Sequence, residues 1–262
     1  MSDAVLLLEQ ARFGLRGGFR NTRAVIFTII FPIVLLVLFN SVFSGKNGTT
    51  RFHGVRVDFA SYFTPGIVAY SIMLTGFSGL LIALTTNRER GLLKRYRGTP
   101  MPSWVFLGGQ ILQSVVIVLI MAIVLIVIGS VAYDVHLRSG AIGALAVYLV
   151  LGTATMCALG IALTRVTTTA DAASAVGPFV TVILGFVSGV FIPVNSLPNW
   201  LEDLGRVFPL AHLAEGLQRC FSPAATGNVL DGSNVAVLAA WGVAGLVIAV
   251  RTFRWDPQGA GT

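Results

Sequence analysis

Three histidines, two cysteines and eleven carboxylates are the side chains in this 262-residue sequence that could hold a metal or move a proton. Their spacing favours neither task. His53, His136 and His212 stand far apart, with no HExxH pattern. Cys157 sits in an apolar run and Cys220 in a distant polar one, which is neither a disulfide framework nor a metal-ligand pair. Gly45-Lys46 is the only Gly-Lys pair. A phosphate-binding loop would need glycine at position 40 and Ser or Thr at 47; both are asparagine. The expectation is no catalytic residue, no metal and no enzyme activity in this chain. Chemistry of another kind is concentrated in "NRERGLLKRYRGTP", residues 87–100. It carries Arg88, Arg90, Lys94, Arg95 and Arg97 against one acid, Glu89. Such a run can be a positive anchor beside a membrane or a surface on which a partner docks.

The elements that must position this run are apolar. Hydrophobic residues make up 55% of the chain and charged residues 11%, against about 25% charged in a soluble domain. That polar surface is too small to cover a water-soluble globule. The formal charge of +7 then reads as membrane topology and not as a nucleic-acid footprint. Stretches free of Asp, Glu, Lys and Arg run over 24–45, 59–87, 98–133, 139–164, 172–201 and 232–250. Each can hold the roughly 20 residues that cross a bilayer. Prolines trim two of them, giving predicted spans near 24–44, 59–86, 104–132, 140–164, 173–192 and 232–250. The first span follows four arginines and reads as retained, not as a cleavable signal. The chain is one transmembrane domain, 1–262.

With the N-terminus inside, twelve Lys and Arg fall on the cytoplasmic side and six outside, while the acids divide five to six. This bias predicts both termini in the cytoplasm. Three flanking segments carry structure of their own. Residues 3–20 predict an amphipathic helix in the inner interface, with Leu7, Leu8, Ala11, Leu15 and Phe19 on one face and Arg12, Arg16 and Arg20 beside them. Gly14, Gly17 and Gly18 each weaken it by about 1 kcal/mol relative to alanine. Residues 88–98 predict a cytoplasmic helix. Glu89 would lie near its positive end and Lys94, Arg95 and Arg97 near its negative end, with Leu92, Leu93 and Tyr96 as an apolar ridge. Residues 195–223 predict a short helical hairpin, re-entrant or surface-lying, bounded by Pro193 and broken at Pro209, with Trp200 at the outer interface and Glu215 in its second arm.

The spans lack the mid-membrane acids or histidines that ion-coupled carriers commonly use, and no span has an arginine ladder. Small residues are frequent, as in the GxxxG of Gly185–Gly189, which serves packing inside one chain or a dimer seam. A polar minority, Tyr62, Tyr70, Thr75, Ser78, Thr181 and Ser188, either lines a pathway for amphipathic cargo or makes hydrogen bonds between helices.

The order of these features resembles the membrane subunits of ABC-2 type exporters, close to the daunorubicin-type antibiotic-resistance permeases. The residues that carry the resemblance are "ERG…R…TP" from Glu89, "SGVFIPVNSLPNWL" ending span five and "FPLAHLAEGLQ" before span six. It covers essentially the whole chain, with Phe208-Pro209 standing where the family usually has Asn-Pro. The resemblance implies an all-α integral membrane fold of six spans with the three flanking segments named above. It implies a second permease copy, identical or paralogous, two separate ATP-binding subunits that hold the ATP and Mg, a bacterial cytoplasmic membrane, and export of a drug, lipid or other amphipathic cargo. It places coupling to the ATPase on Glu89, Arg90, Gly91, Leu92, Leu93 and Tyr96. An ion-coupled carrier and a non-transport scaffold or immunity protein remain as alternatives. Membrane lipids are expected contacts and nucleic acid is not.

Overall fold

The computed structural model describes residues 3–20, 26–44, 48–52, 54–92, 102–222 and 228–252. It is mostly helical. Helix α1 spans Asp3–Arg20. A π-helical turn, Ile26–Ile30, leads into α2, Phe31–Phe43. A two-stranded hairpin follows, β1 Thr49–Phe52 and β2 Val55–Asp58. The long α3, Phe59–Glu89, contains a second π-helical turn at Leu74–Gly79. Then come α4 Ser103–Tyr133, α5 Ile142–Leu163 and α6 Ala170–Val187. A 3-10 turn, Val194–Ser196, precedes α7 Asn199–Val207, α8 Pro209–Phe221 and α9 Gly232–Thr252.

Among the described residues, five helices are long and apolar enough to cross a membrane: α3, α4, α5, α6 and α9. Residues 24 and 25 of the predicted first span lie outside the described residues. Its apolar helix covers Thr28–Phe43, about 24 Å at 1.5 Å per residue, against a hydrocarbon core of about 30 Å. The hairpin was not foreseen in the polar 45–58 segment. Phe52 pairs with Val55, so two residues make the turn, and Gly54 supplies the positive φ of 81°. Helix α4 stops at Asp134, which takes φ 58°, a region that Asp tolerates better than most residues. The Val135 amide then donates to the Gly129 carbonyl at 3.1 Å. Between α7 and α8 a single residue, Phe208, is extended at φ −90° and ψ 144°. The following Pro209 both forces that extension and opens α8 as its first residue.

Helix α3 is the hub. Phe63, Ile67, Ala69 and Ile72 are fully buried, and its segments touch α2, α4, α5, α6 and α8. Helix α8 also belongs to the core. Leu210, Leu213, Leu217 and Cys220 have no exposed surface, so the second arm of the hairpin does not lie on the surface. Helix α7 does keep an exposed side, with Trp200 and Val207 open. Outward faces of the long helices stay apolar, as at Val131, Phe179, Val243 and Val250. Such faces suit hydrocarbon, not water.

Helix α1 packs on α4 with a face rotated from the predicted one. Gln10 and Ala11 are buried, and a Cβ on Gly109 would meet the Gln10 side chain at 2.7 Å. Leu8 points away, 60% exposed, with Phe13 beside it in exposure at 69%. Gly14, which weakens the isolated helix, here makes room for the Gln113 side chain. Phe19 lies among residues whose side chains are not described.

Candidate functional site

Two regions concentrate the polar groups that the spans bury. The first is where α3 ends. Arg88 is 4% exposed. Its guanidinium donates to the carbonyls of Thr164 at 2.9 Å, Thr167 at 2.8 Å and Thr168 at 3.3 Å. Thr164 is the C-cap of α5, so Arg88 supplies positive charge and donors to a helix end that has free carbonyls and negative polarity. Glu89, the next residue, does the converse. Its Oε1 accepts from the Ala170 amide at 2.8 Å, the first residue of α6. Thr169 Oγ1 accepts from Ala172 at 3.2 Å, and Asp171 adds negative charge in the same turn. Adjacent side chains of opposite charge thus hold the end of one helix and the start of the next.

This geometry corrects the start of the predicted helix over 88–98; its residues 93–98 lie outside the described ones. Residues 88 and 89 belong to α3, and Glu89 faces the positive end of α6, not that of its own following helix. Arg90 is the C-cap of α3. Its amide reaches Thr86 at 3.0 Å, and the Gly91 amide reaches Arg88 at 3.0 Å. Gly91 adopts φ 69°, which ends the helix at little steric cost. Leu92 follows, half-buried. Leu93 and Tyr96, with Lys94, Arg95 and Arg97, lie outside the described residues.

The second region is the contact between α3 and α6. Tyr62 is buried, and its hydroxyl donates to the Gly189 carbonyl at 2.5 Å. Tyr70 is buried against Phe191, ring centres 4.9 Å apart, and its ring also faces Gly185, where a Cβ would come within 3.1 Å. Ser78 faces Gly177, where a Cβ would approach Oγ to 2.7 Å. Thr181 is buried and returns its hydroxyl to the Gly177 carbonyl at 2.9 Å. Thr75 lies in the π-helical turn and Ser188 caps α6 at its C-terminal end; both hydroxyls are buried without a hydrogen-bond partner. All six polar residues singled out in the sequence therefore lie inside the chain, on or beside one seam. Both glycines of the Gly185–Gly189 motif face this chain's own residues, Tyr70 and Phe191 at one and Tyr62 and Val194 at the other.

The hairpin residues divide. Pro193 is the N-cap of the 3-10 turn. Trp200 is 68% exposed on α7. Pro209 is buried at the start of α8. Glu215 accepts from Arg219 at 2.8 Å, and Arg219 also reaches Asp231 at 3.1 Å. The Asp231 carboxyl is held below the usual carboxylate range, first by the Ser233 hydroxyl, then by the Ser233 amide, with Arg219 adding less. His212 bridges Asn234 at 2.7 Å and the Arg206 carbonyl at 2.8 Å. Among the described residues no group of three or more His, Cys, Asp or Glu could hold a metal ion.

Sequence reasoning missed Arg88 as a buried group and counted it only as inside-positive charge. The run "TRVTTTAD", residues 164–171, held the available signal. Thr169 with Asp171 is a helix-start pattern, and a turn this short, joining two apolar helices, leaves carbonyls that need donors.

Long apolar helices, buried polar seams and outward apolar faces define a polytopic helical membrane protein. The chain belongs to the ABC-2 type transporter family, whose model matches residues 12–221. It is similar to YvfS of Bacillus subtilis (strain 168), named as a transport permease, at 22% identity over 80% of this chain and 83% of the relative. It is similar to the daunorubicin resistance ABC transporter permease protein DrrB1 of Streptomyces coeruleorubidus, at 25% identity over 71% of this chain and 64% of the relative. YbhR of Escherichia coli (strain K12), named as a multidrug ABC transporter permease, is 22% identical over 63% of this chain and 45% of its own length. The chain thus spans most of the first relative and less than two thirds of the other two.

Proposed function

We propose that this chain is the membrane-embedded permease of an ATP-driven exporter that moves a drug, lipid-like or other amphipathic cargo out of the cytoplasm. Two copies of a separate ATP-binding subunit, holding ATP and Mg, supply the energy. A second permease, identical or paralogous, completes the unit in a bacterial cytoplasmic membrane, with both termini of this chain inside. The observation that carries the reading is the course of α3. The helix buried at the centre of the bundle is the one that runs directly into the basic 87–100 segment. A force applied at Arg90, Gly91, Leu92, Leu93 and Tyr96 is therefore applied to the hub. Coupling at those residues is supported by family membership and by the turn at Gly91, which ends α3 just before them. Tyr62, Tyr70, Thr75, Ser78, Thr181 and Ser188 become a pathway when α3 and α6 part, since all six are buried in the closed bundle and Tyr62, Tyr70 and Ser78 of α3 meet the 177–189 segment directly. The cargo class follows from that lining, which is hydroxyl-rich but uncharged.

The test is reconstitution of this chain in vesicles with and without the ATP-binding subunit that copurifies with it. Export of a fluorescent amphipathic cargo is expected only with that subunit and ATP. Leu92→Glu is expected to lower recovery of the subunit while the chain still inserts. Full-rate movement by the permease alone would refute the proposal. Collapse of export on dissipating a proton or sodium gradient, with ATP present, would favour an ion-coupled carrier.

A further inference from the structure

We infer that Arg88 and Glu89 act as a clamp that makes the 164–170 turn move with the end of α3, so that force on the 90–92 turn reaches α5 and α6 as well as the hub. The inference rests on the proposed exporter function and assigns Glu89 a role different from docking. Glu89 is a positioning residue here, acting through Ala170.

Three observations carry it. Arg88 is buried at a bundle edge, and burial of an arginine is tolerated only when its donors are satisfied. Its guanidinium spans carbonyls on both sides of the turn, from Thr164 to Thr168. That fork requires the planar geometry of arginine; a lysine ammonium is a point charge on a flexible stem. Glu89 adds the opposite charge at the next helix start, on the Ala170 amide. The two side chains are consecutive in sequence, so the turn is held by both its carbonyl end and its amide end from one short piece of backbone. The same piece carries Arg90 and Gly91, where the helix breaks. Rigid coupling up to residue 89 and a break just after it place the moving joint at Arg90–Gly91. Glu89 and Arg90 are both exposed, so sequence position alone does not separate them; the partner of the Glu89 carboxylate does.

The experiment uses the complex purified through this chain. Nitroxide labels at Ala83→Cys and Ser174→Cys report on the two sides of the clamp; both positions are exposed, and the native Cys157 and Cys220 are buried. The 83–174 distance is expected to be single and unchanged by nucleotide while export proceeds. In Glu89→Ala the distance is expected to broaden when ATP is added. Export per ATP hydrolysed falls about tenfold, the scale of losing one charge-assisted hydrogen bond, while recovery of the ATP-binding subunit is unchanged. Glu89→Gln, which keeps an oxygen for the Ala170 amide, recovers most of the coupling, and Arg88→Lys loses coupling as Glu89→Ala does. A nucleotide-dependent change of distance in the chain with native Arg88 and Glu89, with export intact, overturns the clamp alone. So does Glu89→Ala that detaches the ATP-binding subunit, because that outcome makes Glu89 a docking residue. A complex without any ATP-dependent export overturns the exporter reading itself.

Discussion

The crossing of α5 over the π-helical turn of α3 gives a sharp test of the fold. A Cβ placed on Gly160 would lie 2.6 Å from the Phe77 carbonyl oxygen, 3.0 Å from that of Gly76 and 3.0 Å from Phe77 Cα. All three obstacles are backbone. No side chain can rotate aside, so Gly160→Ala must push the helices apart by several tenths of an ångström. Overpacking of this kind costs about 1–3 kcal/mol. Alanine returns about 1 kcal/mol through its better helix propensity. The net expectation is a loss of up to about 2 kcal/mol, which lowers Tm by roughly 2–4 °C per kcal/mol in a chain of this size. Gly17→Ala is the internal control: it sits in α1 with nothing within 4 Å of the added methyl, so propensity acts alone and Tm does not fall. The assay is built into the protein. Cys157 and Cys220 are free and buried, and Cys157 Sγ would lie 3.3 Å from a Cβ on Gly76, at this same crossing. A maleimide dye that fluoresces on thiol addition therefore reports opening of the crossing during a thermal ramp in detergent. If Gly160→Ala matched Gly17→Ala, with Tm unchanged or raised, the close crossing would be wrong.

Further expectations concern the seam and the hairpin. Tyr62→Phe removes the donor to the Gly189 carbonyl and leaves a buried acceptor unpaired, costing about 1–3 kcal/mol; the same thermal ramp reads it, and an unchanged Tm counts against the contact. Asp231 titrates below its unfolded value near 3.9 because Ser233 and then Arg219 favour its ionised form. Its stabilisation is therefore present at neutral pH and is lost as pH falls through the depressed folded-state value. Asp231→Asn is expected to flatten the acid limb of a stability profile between the two values, and an unaltered limb would show that Asp231 contributes nothing there.

Much of the helical plan was legible because apolar length is a blunt signal. A run without charge over 20 residues reads as a span whatever its partners are. The hairpin break at Pro209 was legible for the same kind of reason, since proline acts on its own backbone. What escaped the sequence depends on contacts between distant segments. Glu89 was expected to serve the helix after it, but its oxygen serves Ala170, 81 positions on. Arg88 counted as a topology signal, yet its burial depends on the three carbonyls that the 164–168 backbone presents. Leu7 and Leu8 were both assigned to the apolar face of an interfacial helix, but Leu7 packs with Gln10 on Gly108 and Gly109 of α4 while Leu8 stays exposed. The six polar seam residues were picked out by chemistry alone. That they meet along α3 and α6 required the packing of those helices.

The π-helical turn at Leu74–Gly79 has a bearing on the far end of α3. A π turn carries one residue more than the α-helical turn it replaces, and each residue advances the helix by about 100°. Everything after Gly79 is therefore out of phase with everything before Leu74. Tyr62 before the turn and Arg88 after it make their contacts across that offset. Straightening 74–79 into an unbroken α-helix with the same residues would swing Arg88 and Glu89 through about 100° away from the 164–170 turn, whereas deleting one residue there removes the extra residue and the wide turn together and leaves the pair facing it. The angular setting of the charged pair is thus encoded some ten residues upstream, in "LTGFSG", where two glycines and two hydroxyl residues give the backbone latitude to hold the extra residue.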